Sequence, residues 1–172
     1  MSAQRSESAR GGRLKAIEHV RERLIEASPE RIWPLLDAVE RHREWDERVT
    51  RGHSLDSGPD GPMAVGRRER TYQRVAGTEV EADMVVTAHE PYRLIAWRVE
   101  TWRVGGKPLD LRAARQEFRL RPEGAATRVR MLLAYEPRSS WQRLLSRAGS
   151  RLETRQLEHA LERLEGLCAE RL

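Results

Sequence analysis

The chain has 172 residues, 38% hydrophobic and 34% charged, with 32 lysine plus arginine against 27 aspartate plus glutamate for a net charge of +5. That length suits one domain, and apolar residues recur in ordered patterns, so a modest core can form and a wholly disordered chain is excluded. No apolar run reaches the ~18 residues of a membrane span and the start MSAQRSESARGG lacks an apolar secretory stretch, so membrane insertion and export are not expected.

A lone cysteine, Cys168, allows neither an internal disulfide nor a cysteine-based zinc site and suits a reducing cytoplasm. The basic balance rests on arginine, with only Lys15 and Lys107 as lysines, and basic residues are interleaved with acids, as in Arg67-Arg68-Glu69-Arg70. Such a pattern reads as high-GC coding and forms no unbroken stripe of one sign, so nucleic acid is not expected as a partner.

Residues 1–12 are small, polar and without apolar periodicity, a disordered tail that leaves 13–172 as the domain. From Leu14 to Ala27 two periodicities coexist: Leu14, Ile17, Val20 and Leu24 fit a helix, whereas Ile17, His19, Arg21, Arg23 and Ile25 alternate as in a strand. Ser28-Pro29-Glu30 starts a helix, with the serine able to cap free N–H groups and the proline preset for the first turn. Ile32, Trp33, Leu35, Leu36 and Val39 make it amphipathic, and Arg41 to Asp46 is long enough for one further turn only.

Ser54 to Pro62, rich in glycine, proline and aspartate, is the strongest loop signal. Strands are predicted at 65–75, 78–88, 92–104, 114–121 and 127–135, joined by short glycine- and proline-rich links that imply antiparallel hairpins. In the last hairpin, pairing Leu120 with Val129 sets Phe118 against Met131, Gln116 against Leu133 and Ala114 against Tyr135 on one face. The other face then carries Arg119 against Arg130 and Arg121 against Arg128, so one face is core and the other is water. Ser139 to about Cys168 is helical by period. Its apolar stripe turns from Trp141, Leu145, Ala148 and Leu152 to Leu157, Ala160, Leu161, Leu164 and Cys168, which predicts a kink or break at Gly149-Ser150.

A strand, two short helices, a run of antiparallel strands and a long terminal helix is the order of the helix-grip fold, an α+β class. Within it, Leu24-Ile-Glu-Ala-Ser-Pro-Glu-Arg-Ile-Trp33 and Glu44-Trp45-Asp46 resemble the opening of the START-like superfamily (SRPBCC, or Bet v 1-like), in its polyketide cyclase/dehydrase and lipid-transport branch. Val65-Gly66-Arg67, Glu90-Pro91-Tyr92 and Gly124-Ala125-Ala126-Thr127 fall where that family has comparable strand starts and turns. The resemblance spans about residues 15–170 and favours a strand for the ambiguous first segment. It implies a curved antiparallel sheet wrapped round the terminal helix, with a hydrophobic cavity between them. The expected ligand is a polyketide, isoprenoid or lipid-like small molecule, carried, or else cyclised, aromatised or dehydrated without cofactor or metal, and the expected state is a monomer or homodimer.

Around such a cavity the pattern places Trp45, Met84, Val86, Trp97, Val99, Gln116, Phe118, Met131, Leu133, Tyr135, Leu152 and Gln156, with Gly149 where a filled core would ask for bulk. For acid–base chemistry the candidates are Glu69 or Tyr72 to move a proton, Arg70 to hold an oxyanion and Gln116 to orient a ligand. Against the first three stands the simpler expectation that strand 65–75 lies at the sheet margin with both faces wet. The five histidines, His19, His42, His53, His89 and His159, lack metal-ligand spacing and are read as surface or structural, and Cys168 as packing. The rival reading is an interaction protein whose arginine-rich surface binds RNA, a ribosome or a protein partner.

Overall fold

Between the two periodicities at the start of the chain, tertiary pairing selects the strand. In the computed structural model, which describes residues 16–56, 63–75, 77–109, 111–137 and 140–170, β1 runs Ile17–Ile25 and pairs antiparallel with a strand more than 100 residues later. The 1–12 tail and most of the 54–62 loop lie outside the described residues. After β1 come α1 (Pro29–Leu36), a 3-10 turn (Val39–Arg41) and α2 (His42–Trp45). Pro29 opens α1 as predicted, but Ser28 makes no side-chain cap; its hydroxyl engages the Glu30 carboxyl instead and lowers that group's pKa.

The remaining strands are β2 (Val49–Ser54), β3 (Arg68–Val75), β4 (Thr78–Glu90), β5 (Leu94–Val104), the two-residue β6 (Lys107–Pro108), β7 (Leu111–Glu123) and β8 (Ala126–Pro137). They form one antiparallel sheet in the order β1-β8-β7-β5-β4-β3-β2, with β6 attached to β5. The β7–β8 register matches the pattern-based pairing from Gln116–Leu133 to Arg121–Arg128. It fails at Ala114–Tyr135 because the ladder shifts between Arg112 and Arg115, where Ala113 takes a φ of 48°. The facing arginines are relieved by interleaved acids: Glu117 meets both Arg119 and Arg130, and Glu123 binds Arg128 at 2.8 Å.

Two departures matter for the interior. Val65–Arg67 is a turn, closed by the Arg67 N–H on the Ala64 carbonyl, with Gly66 at φ 93°. More important, β2, which the pattern missed, pairs with β3, so 65–75 is not a margin with two wet faces. Glu69 and Thr71 are buried. Gly52 permits that arrangement, since a Cβ there would collide with the Val39 carbonyl oxygen of the 3-10 turn.

The terminal helix α3 (Ser140–Ala169) is continuous through Gly149 and Ser150, without the predicted break. One helical glycine costs only ~1 kcal/mol, too little to interrupt a helix held by packing. Leu157, Ala160, Leu161, Leu164 and Cys168 are buried on the concave face of the sheet, whereas Leu152 is 50% exposed. Arg21 and Arg23 of β1 pair with Glu158, Glu162 and Glu165 of α3, and Arg31 donates to the Cys168 carbonyl at 2.6 Å, satisfying one of the orphan acceptors at the helix end. The two halves of the stripe should therefore differ sharply. In urea denaturation Leu161→Ala is expected to cost ~2–5 kcal/mol and Leu152→Ala less than ~0.5 kcal/mol; equal losses would contradict this packing.

Candidate functional site

Beneath α3, the concave face divides into a filled part and an empty part. The filled part is an aromatic block: Phe118 meets Trp45 and Trp97 edge-on at 5.3 and 6.3 Å between centroids, and His42 stands edge-on to Trp97 at 5.6 Å. Two carbonyls of α1 hold it: Trp45 Nε1 donates to Leu35 at 2.8 Å, and His42 Nε2 lies 3.1 Å from the Leu36 oxygen. Because a carbonyl only accepts, that bond places the His42 proton on Nε2. Burial lowers the pKa of His42 and keeps the ring neutral.

Beyond the block lies a cavity of about 310 Å³, near the lower end of ligand pockets. Its floor is the concave face of β3, β4 and β5, including Thr71, Gln73, Val80, Ala82, Met84, Val99, Trp102 and Val104, with Gln116, Met131 and Leu133 from β7 and β8. Leu157 and Glu153 of α3 lie above. The wall also carries a charged cluster at the α2–β2 corner. Arg48 grips Asp46 bidentately at 2.9 and 2.7 Å, donates to Gln156 Oε1 at 3.1 Å and lies 3.7 Å from Glu153. Each carboxylate of the cluster is thus paired with the guanidinium, although two carboxylates against one cation leave it net negative.

Of the residues expected around a cavity, Trp45, Met84, Val99, Gln116, Met131 and Leu133 line it. Val86, Trp97 and Phe118 belong to the packed core beside it. Tyr135 is buried next to the His19 ring, Gln156 is committed to Arg48, Leu152 faces solvent, and a Cβ on Gly149 would meet nothing within 4 Å. Trp102 and Val104 were missed because a bulge between Thr101 and Val99 resets the alternation of β5; the apolar spacing 95, 97, 99, then 102, 104 carries its signal. The convergence of Glu153 on the Asp46–Arg48 pair had no signal, since the pair lies in the α2–β2 corner and Glu153 in α3, more than 100 residues later.

Of the acid–base candidates, Arg70 and Tyr72 are on the convex face. Arg70 binds Asp83 at 2.5 and 2.9 Å, and Tyr72 lies under the Arg51 guanidinium at 4.1 Å. Glu69 points inward and is fully buried. Its Oε2 accepts from Trp97 Nε1 at 2.8 Å, Arg67 Nε lies 3.6 Å from Oε1, and Oε1 has no hydrogen-bond partner. Burial raises its pKa from 4.5 to about 7, against the opposing pull of the Trp97 bond and the Arg67 charge. The carboxyl sits at the N–H edge of the Trp97 ring and, like that ring, forms no part of the cavity wall. Among the described residues no three histidine, cysteine, aspartate or glutamate side chains converge on a metal-sized point, and no helix is long and apolar enough to cross a membrane.

The family model for polyketide cyclase / dehydrase and lipid transport matches residues 16–168. Among solved structures, TTHA0849 from Thermus thermophilus is similar at 20% identity and TM-score 0.69, covering 90% of this chain and 98% of that one. A START superfamily protein from Mycobacterium smegmatis is similar at 18% identity and TM-score 0.69, covering 90% and 99%. Ara h 8.0201 shares the fold at 7% identity and TM-score 0.60, covering 91% and 99%. No curated protein matches the chain in sequence.

The environment of Glu69 has a consequence for stability. A carboxyl whose folded pKa lies above its unfolded value destabilises the fold progressively as pH rises from the unfolded to the folded pKa. Glu69→Gln keeps an acceptor for Trp97 and removes that titration. Wild-type stability relative to the variant should therefore fall between pH 4.5 and about 7, by ~3 kcal/mol at 1.36 per unit. His19 and His42, both lowered by burial, act in the opposite sense but are common to both proteins. Urea titrations across that range check it; a flat difference would mean that Glu69 ionises like an exposed carboxylate.

Proposed function

The chain belongs to the polyketide cyclase/dehydrase and lipid-transport family, and from that premise we propose that it binds one compact, largely apolar small molecule in the cavity between its sheet and α3. The observation that carries this reading is the cavity itself, whose wall is built mainly from Val49, Val80, Ala82, Met84, Val99, Met131, Leu133 and Leu157. A largely apolar wall removes a ligand's hydrocarbon surface from water at roughly 25 cal/mol per Å². A polyketide, isoprenoid or lipid-like molecule with one to three rings or a short chain suits that space.

Two observations favour carriage over acid–base turnover. Glu69 is turned to Trp97 behind the wall, and the ionisable wall residues His42, Asp46, Arg48 and Glu153 are bound to protein partners. Nothing comparable supports the arginine-surface reading, because convex-face arginines such as Arg70, Arg103, Arg119, Arg128 and Arg130 are each matched by a carboxylate.

Val80→Phe tests the reading by filling the cavity from the floor. A neutral dye, N-phenylnaphthylamine, is expected to bind the wild type with enhanced fluorescence and to bind the variant at least ~10-fold more weakly, while the melting temperature holds or rises. Unchanged dye binding, together with the ~1–3 kcal/mol loss that follows overpacking of a solid core, would overturn it.

A further inference from the structure

We infer that the cavity sorts ligands by the charge of their polar end. It takes an alcohol or an amine on a hydrocarbon frame and turns away a carboxylate, with Glu153 setting the preference and Gln116 as a second contact. This rests on the reading of the cavity as a ligand site and adds the chemical class of its occupant.

Glu153 is on the wall and within an occupant's reach. It lies one turn before the buried Leu157 on the same face of α3, the face turned to the sheet, and its side chain keeps 31% of its surface accessible. Its carboxylate is 3.7 Å from Arg48 Nη1, close enough for attraction but outside hydrogen-bond distance. Arg48 is engaged more tightly elsewhere, by Asp46 at 2.9 and 2.7 Å and by Gln156 at 3.1 Å. The ion pair therefore leaves lone pairs of Glu153 open to a donor.

A row of inward side chains crosses the sheet below this part of α3. His19 of β1 is opposite Leu133 of β8, Leu133 is opposite Gln116 of β7, and Gln116 is opposite Trp97 of β5. Burial lowers the pKa of His19, and the charge of Glu153 acts against that shift. Gln116 is two strand spacings along the row from His19, about 10 Å. It lines the cavity half-buried and has no hydrogen-bond partner among the described residues, and neither polar atom of its amide is sealed from solvent. Carboxylate and amide thus look into one cavity from the helix and from the sheet.

Their chemistry limits what they take. An ionised carboxylate only accepts hydrogen bonds, whereas an amide both donates and accepts. A ligand hydroxyl or ammonium group satisfies Glu153, and a ligand carboxylate meets repulsion that an apolar wall strengthens relative to water. Among the described residues no cation is left to offset it: Arg48, the one cation on the wall, faces two carboxylates, and burial keeps His19 and His42 neutral.

Naphthylmethylamine, naphthylmethanol, naphthoate and methylnaphthalene, all substituted at the same ring position, differ only in that polar end. Equilibrium dialysis with the full chain at neutral pH should give the amine at least ~10-fold tighter binding than the acid. Desolvation alone penalises both ions, so the sign of the difference reports the wall. Glu153→Gln should bind naphthoate ~10-fold more tightly than the wild type does and the amine more weakly, with methylnaphthalene unchanged; damage to the fold does not produce a gain of affinity. Gln116→Leu should weaken the alcohol ~5-fold while methylnaphthalene holds, and an unchanged alcohol affinity would overturn the part given to Gln116. If methylnaphthalene binds but the wild type holds naphthoate as tightly as the amine, or Glu153→Gln leaves naphthoate binding unaltered, the inference is overturned and hydrophobic binding stands. If neither methylnaphthalene nor the phenylnaphthylamine dye binds, the ligand-site reading falls with it.

Discussion

Everything in this protein depends on the unequal way α3 meets the concave sheet. Leu157, Leu161 and Leu164 are fully buried, each removing up to ~1.5–3 kcal/mol worth of apolar surface from water, and Ala160 between them allows close approach. Pairs from Arg21 and Arg23 to three glutamates fix the helix along β1. One turn earlier the helix presents Glu153 in place of an aliphatic residue, and Leu152 turns to solvent. The helix grips at one end and leaves space at the other.

What fills the gripped end explains why the space persists. Trp45, Trp97, Phe118 and His42 form a rigid block whose polar edges are tied to the carbonyls of α1 and to Glu69. These side chains are locked by geometry and cannot spread into the neighbouring void. The sheet beyond them is held open by its own pairing, with β2 laddered to β3 and seated against Val39 of the 3-10 turn at Gly52. The void is a consequence of rigid walls, and the one cation on its rim, Arg48, is held by two carboxylates, Asp46 at 2.7 Å and Glu153 at 3.7 Å.

Much of the fold was legible in the sequence where side-chain alternation and turn chemistry agreed. The β7–β8 hairpin could be registered from Phe118, Leu120, Val129 and Met131 because its core face is continuous and Gly124, at φ 65°, marks the turn. Irregular backbone was not legible in this way. β2 has one large apolar residue, Val49, and exists through its partner; Ala113 shifts a face with no local signal, and the β5 bulge shows only as the break in apolar spacing between Val99 and Trp102. The cavity's apolar half was visible as strand alternation, whereas Glu153 meets the Asp46–Arg48 pair only in three dimensions. Glu69 was among the candidates, but its burial depended on β2, which was not.

The space between the aromatic block and the open end of the sheet is the feature on which ligand binding turns. Diffraction from crystals pressurised with xenon addresses it directly, because xenon enters apolar cavities that water avoids. The expected result is a xenon atom in contact with Met84, Val99 and Met131, with the surrounding side chains unmoved. A structure in which Trp102 and Leu133 close on each other under α3, leaving no xenon there, would contradict the account.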